Sequence, residues 1–426
     1  MSINSQRSTV APGIRRRLPF IALLSANTIS SLGSVLTIVA LPWFVLTTTG
    51  SAARTGLTGA VEVVAFVLSG IFGGTIVDHI GFRRTSIAGD FLSALPIAAI
   101  PTLDQTVGLS FGSLLVLVFL AEAVNQPGGT ARESLLPTVA DQAALPRERA
   151  NALYHAIPRV AQLVGPALAG ALIAVTSAGN VLWIDAATFL ISDLLIGFGI
   201  STIKHARPPD IPSARIAMER YGRDLREGFR LLIANRLLAQ MTVNNALGNA
   251  LGAALAGVVL PVYAREVFHS SVALGIMSSG FGAGALAGVL LFGMVGYRFS
   301  RRWVYLGCWT LAGLAQLPLI GLPGLLIVTA VLVLLGLGSG PNLPLTFTVA
   351  QERIPETARG RFFGLRSALA NAASPLGLVG AGYLLDTTSL QVTITVLAIA
   401  SVLLTLNVLI NPAFNELNVR TAVAEE

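Results

Sequence analysis

The chain has little charge, a single lysine and a single cysteine. Charged residues make up 12% of its 426 positions, about half the roughly 25% typical of a soluble globular domain. Cys308 stands alone, which excludes a disulfide framework, a thiolate zinc site and a CxxC redox pair. The four histidines, His79, His155, His205 and His269, show no metal-ligand spacing. With Lys204 as the one lysine, and no Walker-type loop, ATP-driven chemistry lacks its usual residues. Neither a metal nor an organic cofactor is expected. A multispan membrane enzyme would need clustered Asp, His or Lys near an interface, and a sensor would normally carry a soluble output domain. Neither feature stands out, so the chain does not read as an enzyme.

What is abundant is apolar. Hydrophobic residues are 54% of the chain, mean hydropathy is +0.74, and there are 43 glycines. Glycine lets membrane helices approach closely. A span needs roughly 20 mostly apolar residues, and twelve such segments can be read. They cover 19–46, 56–79, 85–103, 108–131, 152–175, 180–201, 237–262, 271–297, 303–321, 323–349, 362–384 and 388–411. The fold class is therefore an all-α membrane protein with twelve transmembrane helices.

Basic residues then set orientation. The N-terminus, the even-numbered loops together with the first turns of the eleventh span (Arg366), and the C-terminus hold 25 of the 28 Lys and Arg, the odd-numbered loops only Arg54 and Arg265. Arg159 falls within a span. Such a bias places both termini in the cytoplasm of a cell inner (plasma) membrane protein. The net charge of +7 fits anionic lipid at the bilayer surface rather than nucleic acid. Three regions follow: residues 1–201, a linker at 202–236 and residues 237–426. In the linker Tyr221, Leu225, Phe229 and Leu232 recur at helical spacing between Arg220, Arg223, Arg226 and Arg230. That pattern reads as a basic amphipathic helix on the membrane surface.

The two halves repeat. Gly74-Thr-Ile-Val-Asp78-His-Ile-Gly81-Phe-Arg83-Arg84 has a degenerate counterpart in Gly293-Met-Val-Gly-Tyr297-Arg298-Phe-Ser300-Arg301-Arg302. Leu136-Pro137 followed by Arg147-Glu-Arg149 is echoed by Ile354-Pro355 followed by Arg359-Gly-Arg361. Parallel repeats of this kind imply two pseudo-symmetric six-helix halves around a central cavity.

The first of these stretches resembles the loop signature of the major facilitator superfamily, Gly-x-Leu-Ala-Asp-Arg-x-Gly-Arg-Arg/Lys. Gly74, Asp78, Gly81 and Arg83 sit at matching positions, Arg84 completes the basic pair, and His79 and Phe82 depart from it. The resemblance implies a gating role for this loop, with Asp78 engaging the start of the eleventh span near Phe362–Arg366. Gly165-Pro166-Ala-Leu-Ala-Gly170 in the fifth span resembles the family's antiporter motif, Gly-x-x-x-Gly-Pro-x-x-Gly-Gly. Ala161 and Ala169 replace two of its glycines. A helix kink at Pro166 flanked by small residues is expected there. In the family the motif accompanies export against protons.

Ionisable residues within spans cost about 2.5–3.5 kcal/mol each at mid-helix, so each needs a reason. They are Glu62, Asp90, Glu122, Arg159, Asp185 and Asp193. At a rise of 1.5 Å per residue, Asp90 and Arg159 fall about 10 Å, and Glu122 about 13 Å, inside the cytoplasmic face. Glu122, tuned by Arg159, is the leading proton carrier, with Asp90 and Asp193 as competitors for the arginine; a static ion pair is the bland alternative. Asp185 and Glu62 lie nearer the outer face, where they can reach water. Asn27 in the first span and Asn244, Asn245 and Asn249 in the seventh occupy related places on helices that line the cavity in this family. They serve either a ligand or interhelical hydrogen bonds. Leu24, Val35, Leu36, Leu251 and Leu255 share these helices, which suits an amphiphilic or weakly polar solute.

The resemblance thus implies a secondary active transporter. The expected reaction is proton-coupled export of small hydrophobic or amphiphilic compounds by alternating access, as in the drug-efflux and siderophore-export branches. An importer or lipid mover of the same fold is the alternative. The expected partners are a small-molecule substrate, protons and the lipid bilayer, with the protein acting as a monomer.

Overall fold

The structure is a computed structural model that describes residues 14–200 and 214–418, without the side chains of 14–16, 71–79, 214–221 and 224. The described residues are almost entirely helical and contain no strand. Twelve helices are long and apolar enough to cross a membrane. In the first half they are Arg17–Thr49, Ala52–Gly70 (the apolar part of a helix that continues to Ile80), Phe82–Thr106, Phe111–Gln142, Arg147–Val175 and Ala178–Gly199. In the second half they are Arg236–Glu266, Ser271–Arg298, Arg301–Gly321, Leu325–Arg353, Glu356–Thr387 and Leu390–Ile410. These are spans 1 to 12 below.

Local chemistry sets many of the helix starts. Ser110, Ser177, Asn235, Ser270, Ser300 and Ser389 each accept a hydrogen bond from the backbone N–H three residues on. Each N-cap satisfies one amide that the first turn leaves without a helical partner. Between spans 2 and 3 the connection is a single residue, Gly81, at φ 90°. Glycine alone takes this conformation without steric cost. The charged segment read as a turn is therefore helical up to Ile80.

Two spans differ from their sequence pattern in informative ways. Span 4 continues eleven residues past the expected end at 131, to Gln142. Pro127, Gly128, Gly129 and Arg132 resemble a stop signal, yet Gly128 packs on the backbone of Gly89 and the Arg132 charge is paired inside the protein. Span 7 contains a π-helical turn at Leu255–Val259 just before Pro261. Proline lacks the N–H and crowds the carbonyl four residues back, and a wider turn relieves both problems.

The spans gather into two bundles that meet along two related seams. Spans 5 and 8 touch through glycine: a Cβ on Gly170 would lie 2.5 Å from the Ser271 carbonyl oxygen, and one on Gly275 would lie 2.4 Å from that of Pro166. Spans 2 and 11 repeat the device, with Gly56 against the Leu378 carbonyl and Gly382 against that of Ala52. The linker helix Ala214–Ala234 rests on the start of span 11. Gly228 faces Arg361 there, and Glu227 pairs with Arg361 at 2.6 Å.

Candidate functional site

Between the bundles lies a cavity of about 400 Å³. Spans 1, 2, 3, 4 and 6 build it, with Asn371 of span 11 as the contribution of the second half. Its walls are largely apolar, including Ile38, Leu41, Phe66, Ile97, Val118 and Phe189. Its ionisable groups among the described residues are Glu62, Glu122 and Asp185, with no Arg, Lys or His among them. A second cavity of about 640 Å³ shares Phe66, Gln126 and Asn371 with the first and extends to Leu225 of the linker helix and to Arg361. The two form one path toward the linker side.

The opposite end is held shut. Asp386, at the end of span 11, accepts hydrogen bonds from the Ser51 hydroxyl and the backbone N–H groups of Ala52 and Ala53 at 2.6, 2.8 and 3.1 Å. Arg265 donates to the carbonyl of Leu46 across the same junction at 2.9 Å.

The three cavity carboxylates are not equivalent. Asp185 is buried and accepts from the hydroxyls of Thr37 and Thr188. Its carboxylate passes over Gly33, where any side chain would collide with it. Glu62 and Glu122 are half-buried; the Asn125 side chain is a hydrogen-bond partner of Glu122, and neither acid pairs with a basic side chain among the described residues. Glu62 and Asp185, expected nearer the outer face, both line the cavity wall.

The layer expected to join Asp90, Glu122 and Arg159 does not assemble. Arg159 is exposed on span 5. Asp90 is fully buried and pairs with Arg132 of span 4, while Ser192 of span 6 donates to it at 2.7 Å. Asp193 is buried beside this group and lines neither cavity. Arg132 escaped the sequence reading because span 4 was ended one residue before it. The available signal was an arginine three residues after Gly128-Gly129 and three residues before Leu135-Leu136.

The asparagines hold helices together. Asn27 donates to the Tyr154 carbonyl at 3.3 Å, and Asn249 to that of Ala370 at 2.9 Å. Asn245 accepts from Asn342 and Asn244 from Asn407. None of the four lines the cavity. The polar groups that do, besides the acids, are Ser34, Thr37, Ser93, Asn125, Gln126 and Asn371.

Gly165 abuts Val35 of span 1, and Gly170 lies in the seam with span 8. Pro166 leaves the Gln162 carbonyl without its helical donor, and Gly282 of span 8 approaches that oxygen. Span 5 nonetheless runs unbroken from Arg147 to Val175. At the loop signature, Arg83 donates to the Gly197 carbonyl of span 6 at 2.6 Å, which ties the segment within its own half, and Arg84 is exposed. Gly74 and Asp78 lie outside the residues whose side chains are described.

Comparison with known proteins agrees with this architecture. The Major Facilitator Superfamily model matches residues 23–248 and 242–422. The multidrug efflux pump Tap of Mycobacterium tuberculosis (strain ATCC 25618 / H37Rv) is 32% identical over 94% of this chain and 95% of its own length. Tap of Mycolicibacterium fortuitum is 30% identical over 95% and 98%. A bacterial homologue of the iron transporter ferroportin, solved in an inward-facing state, superposes with a TM-score of 0.72 at 17% identity, covering 94% of this chain and 99% of its own. Twelve spans in two halves, a cavity between them and a family match along nearly the whole length lead to one assignment: the chain belongs to the major facilitator superfamily.

Proposed function

We propose that this protein is a proton-coupled exporter of amphiphilic organic cations, working by alternating access in the cell inner membrane. The observation that carries the reading is the cavity: apolar walls, three carboxylates and no basic side chain among the described residues. Two of those carboxylates, Glu62 and Glu122, have no basic partner among the described residues, and leaving them so in a cavity is costly unless a proton or a cation answers them. An apolar body with one positive charge satisfies both the walls and the acids. The relatives named as multidrug efflux pumps support the outward direction.

In this reading residues 1–201 and 237–426 rock against each other, with 202–236 as their tether. The arginine bias along the chain supports cytoplasmic termini, so the path past Leu225 and Arg361 opens to the cytoplasm. Gly74, Asp78, Gly81, Arg83 and Arg84 form the gating segment. Protons entering from outside reach Glu122 and Glu62 after the substrate has left. A single copy of the chain contains the complete path.

The test uses two ions of equal shape and opposite charge. Purified protein is expected to bind tetraphenylphosphonium at least tenfold more tightly than tetraphenylborate. Proteoliposomes with an imposed pH gradient and no nucleotide are expected to transport the dye cation ethidium. Equal binding of the borate would remove the cation reading, and transport that requires ATP would remove the proton coupling.

A further inference from the structure

The cavity is not the only buried region of the first half that holds ionisable groups. One to two helical turns from it toward the linker side, spans 3, 4 and 6 bring Asp90, Arg132 and Asp193 together. From Asp185, which lines the cavity, to Asp193 is eight residues of span 6, about 12 Å along its axis. From Ser93 of the cavity wall to Asp90 is about 5 Å. Gly89 and Gly128 bring the backbones of spans 3 and 4 so close that a Cβ on Gly89 would lie 2.7 Å from the Gly128 Cα. That approach seals the charges away from lipid and from the cavity.

The three groups are unequally served. Arg132 gives its terminal nitrogen to both oxygens of Asp90, which also accepts from Ser192. Asp193 is 9% exposed, and both of its carboxylate oxygens are buried without a hydrogen-bond partner. The Nε of Arg132 is also buried and unpartnered. Two carboxylates and one guanidinium carry a net charge of −1 when all are ionised. A buried, unpaired carboxylate is far more costly than a neutral acid in the same place. One proton makes the cluster neutral, and the unserved carboxylate is where it belongs.

We propose that Asp193 is a proton-binding site outside the substrate cavity, and that Arg132 alternates between Asp90 and Asp193 as that proton comes and goes. In the conformation seen here Arg132 holds Asp90, and Asp193 carries the proton as a neutral acid. When the arginine turns to Asp193, the O–H bond there breaks and the proton leaves to water. Arg132 keeps its charge throughout, and Ser192 continues to donate to the Asp90 carboxylate. The charged and titratable groups around Asp193 are Asp90 on span 3 and Arg132 on span 4; Tyr154 on span 5 is within electrostatic reach of both, and Glu133 on span 4 is within reach of Tyr154. Because the pair links spans 3, 4 and 6, the exchange changes which helices are tied together. It thereby couples a proton to the shape of the half that lines most of the cavity. Arg132 and Asp90 are positioning residues in this scheme. The coupling rests on the transport reading above, but the proton assignment does not.

Infrared spectroscopy of the protein in lipid, at neutral pH, tests the assignment without substrate. The difference between the parent and Asp193→Asn is expected to show the loss of one protonated carboxyl stretch and no ionised carboxylate. Asp90→Asn is expected to lose a protonated carboxyl as well, because Arg132 then takes Asp193 and ionises it. If Asp193→Asn removes an ionised carboxylate instead, the site is not protonated and the proposal fails. In proteoliposomes Asp193→Asn is expected to keep ethidium exchange within twofold of the parent and to lose pH-gradient-driven accumulation at least tenfold. Asp193→Glu is expected to recover part of it. Gradient-driven transport by a well-folded Asp193→Asn at the parent rate overturns the coupling while leaving the cavity reading intact.

Discussion

Glu122 and Arg159 lie in one polar layer by helical rise, yet the protein gives them different surroundings. Glu122 faces the cavity beside Asn125, and Arg159 is exposed on its own span. Their substitutions should therefore behave differently. Glu122→Gln is expected to abolish accumulation against a gradient, spare exchange, and weaken tetraphenylphosphonium binding about tenfold, which is about 1.4 kcal/mol. Arg159→Gln is expected to leave transport and its pH profile within twofold of the parent. Transport assays on the pair settle it, and a shifted pH optimum in Arg159→Gln would restore the arginine to the mechanism. Depth along a helix was legible in the sequence, because rise per residue is fixed. Azimuth was not, since a membrane helix that is apolar on most sides gives no amphipathic stripe to orient it. The same blindness explains the asparagines, whose partners Tyr154, Ala370, Asn342 and Asn407 lie far away in sequence. Arg132 was missed for a different reason. Hydropathy counts a charge as the end of a span, and it cannot see Asp90 waiting on another helix.

Elements were easier to foresee than side chains, since twenty apolar residues between polar turns leave the backbone few choices in a bilayer. All twelve spans were legible, and their ends were not where Pro and Gly act inside a helix rather than after it. The Gly-Pro segment of span 5 shows why: its small residues form a helix-to-helix seam. Gly170 is closest, with room for no side chain against Ser271, whose hydroxyl also donates to the Gly170 carbonyl at 3.0 Å. Gly170→Ala must push span 8 away, and such overpacking costs about 1–3 kcal/mol. The variant is expected to unfold at a lower temperature than the parent, whereas Gly112→Ala, at a position with open space around it, should not. Equal melting of the two would mean that the seam opens freely and contributes little to stability.

At the scale of the molecule, the two halves are fastened at the end away from the linker. The fastening concentrates on Asp386, an acid of the second half seated at the N-terminus of span 2 in the first. A carboxylate there satisfies orphan amides and meets the positive end of the helix dipole, worth up to about 2 kcal/mol in favourable geometry and less when exposed, as here. Arg265 adds a bond to the Leu46 carbonyl, and the glycine contacts of Gly56 and Gly382 lie alongside. On the linker side the path continues from Gln126 and Asn371 past Leu225. If the halves rock, Asp386 must let go each time the far end opens. Removing it should then favour the opposite conformation, by roughly tenfold in population for about 1.4 kcal/mol lost. Spin labels at the exposed positions Thr48 and Thr387 provide the measurement. In Asp386→Ala the longer-distance population between them is expected to grow, and in Asp386→Glu to grow less. High salt should narrow the difference between parent and variant, because the latch is exposed and screened. A distance distribution in Asp386→Ala identical to that of the parent would show that the glycine seam alone holds the far end closed.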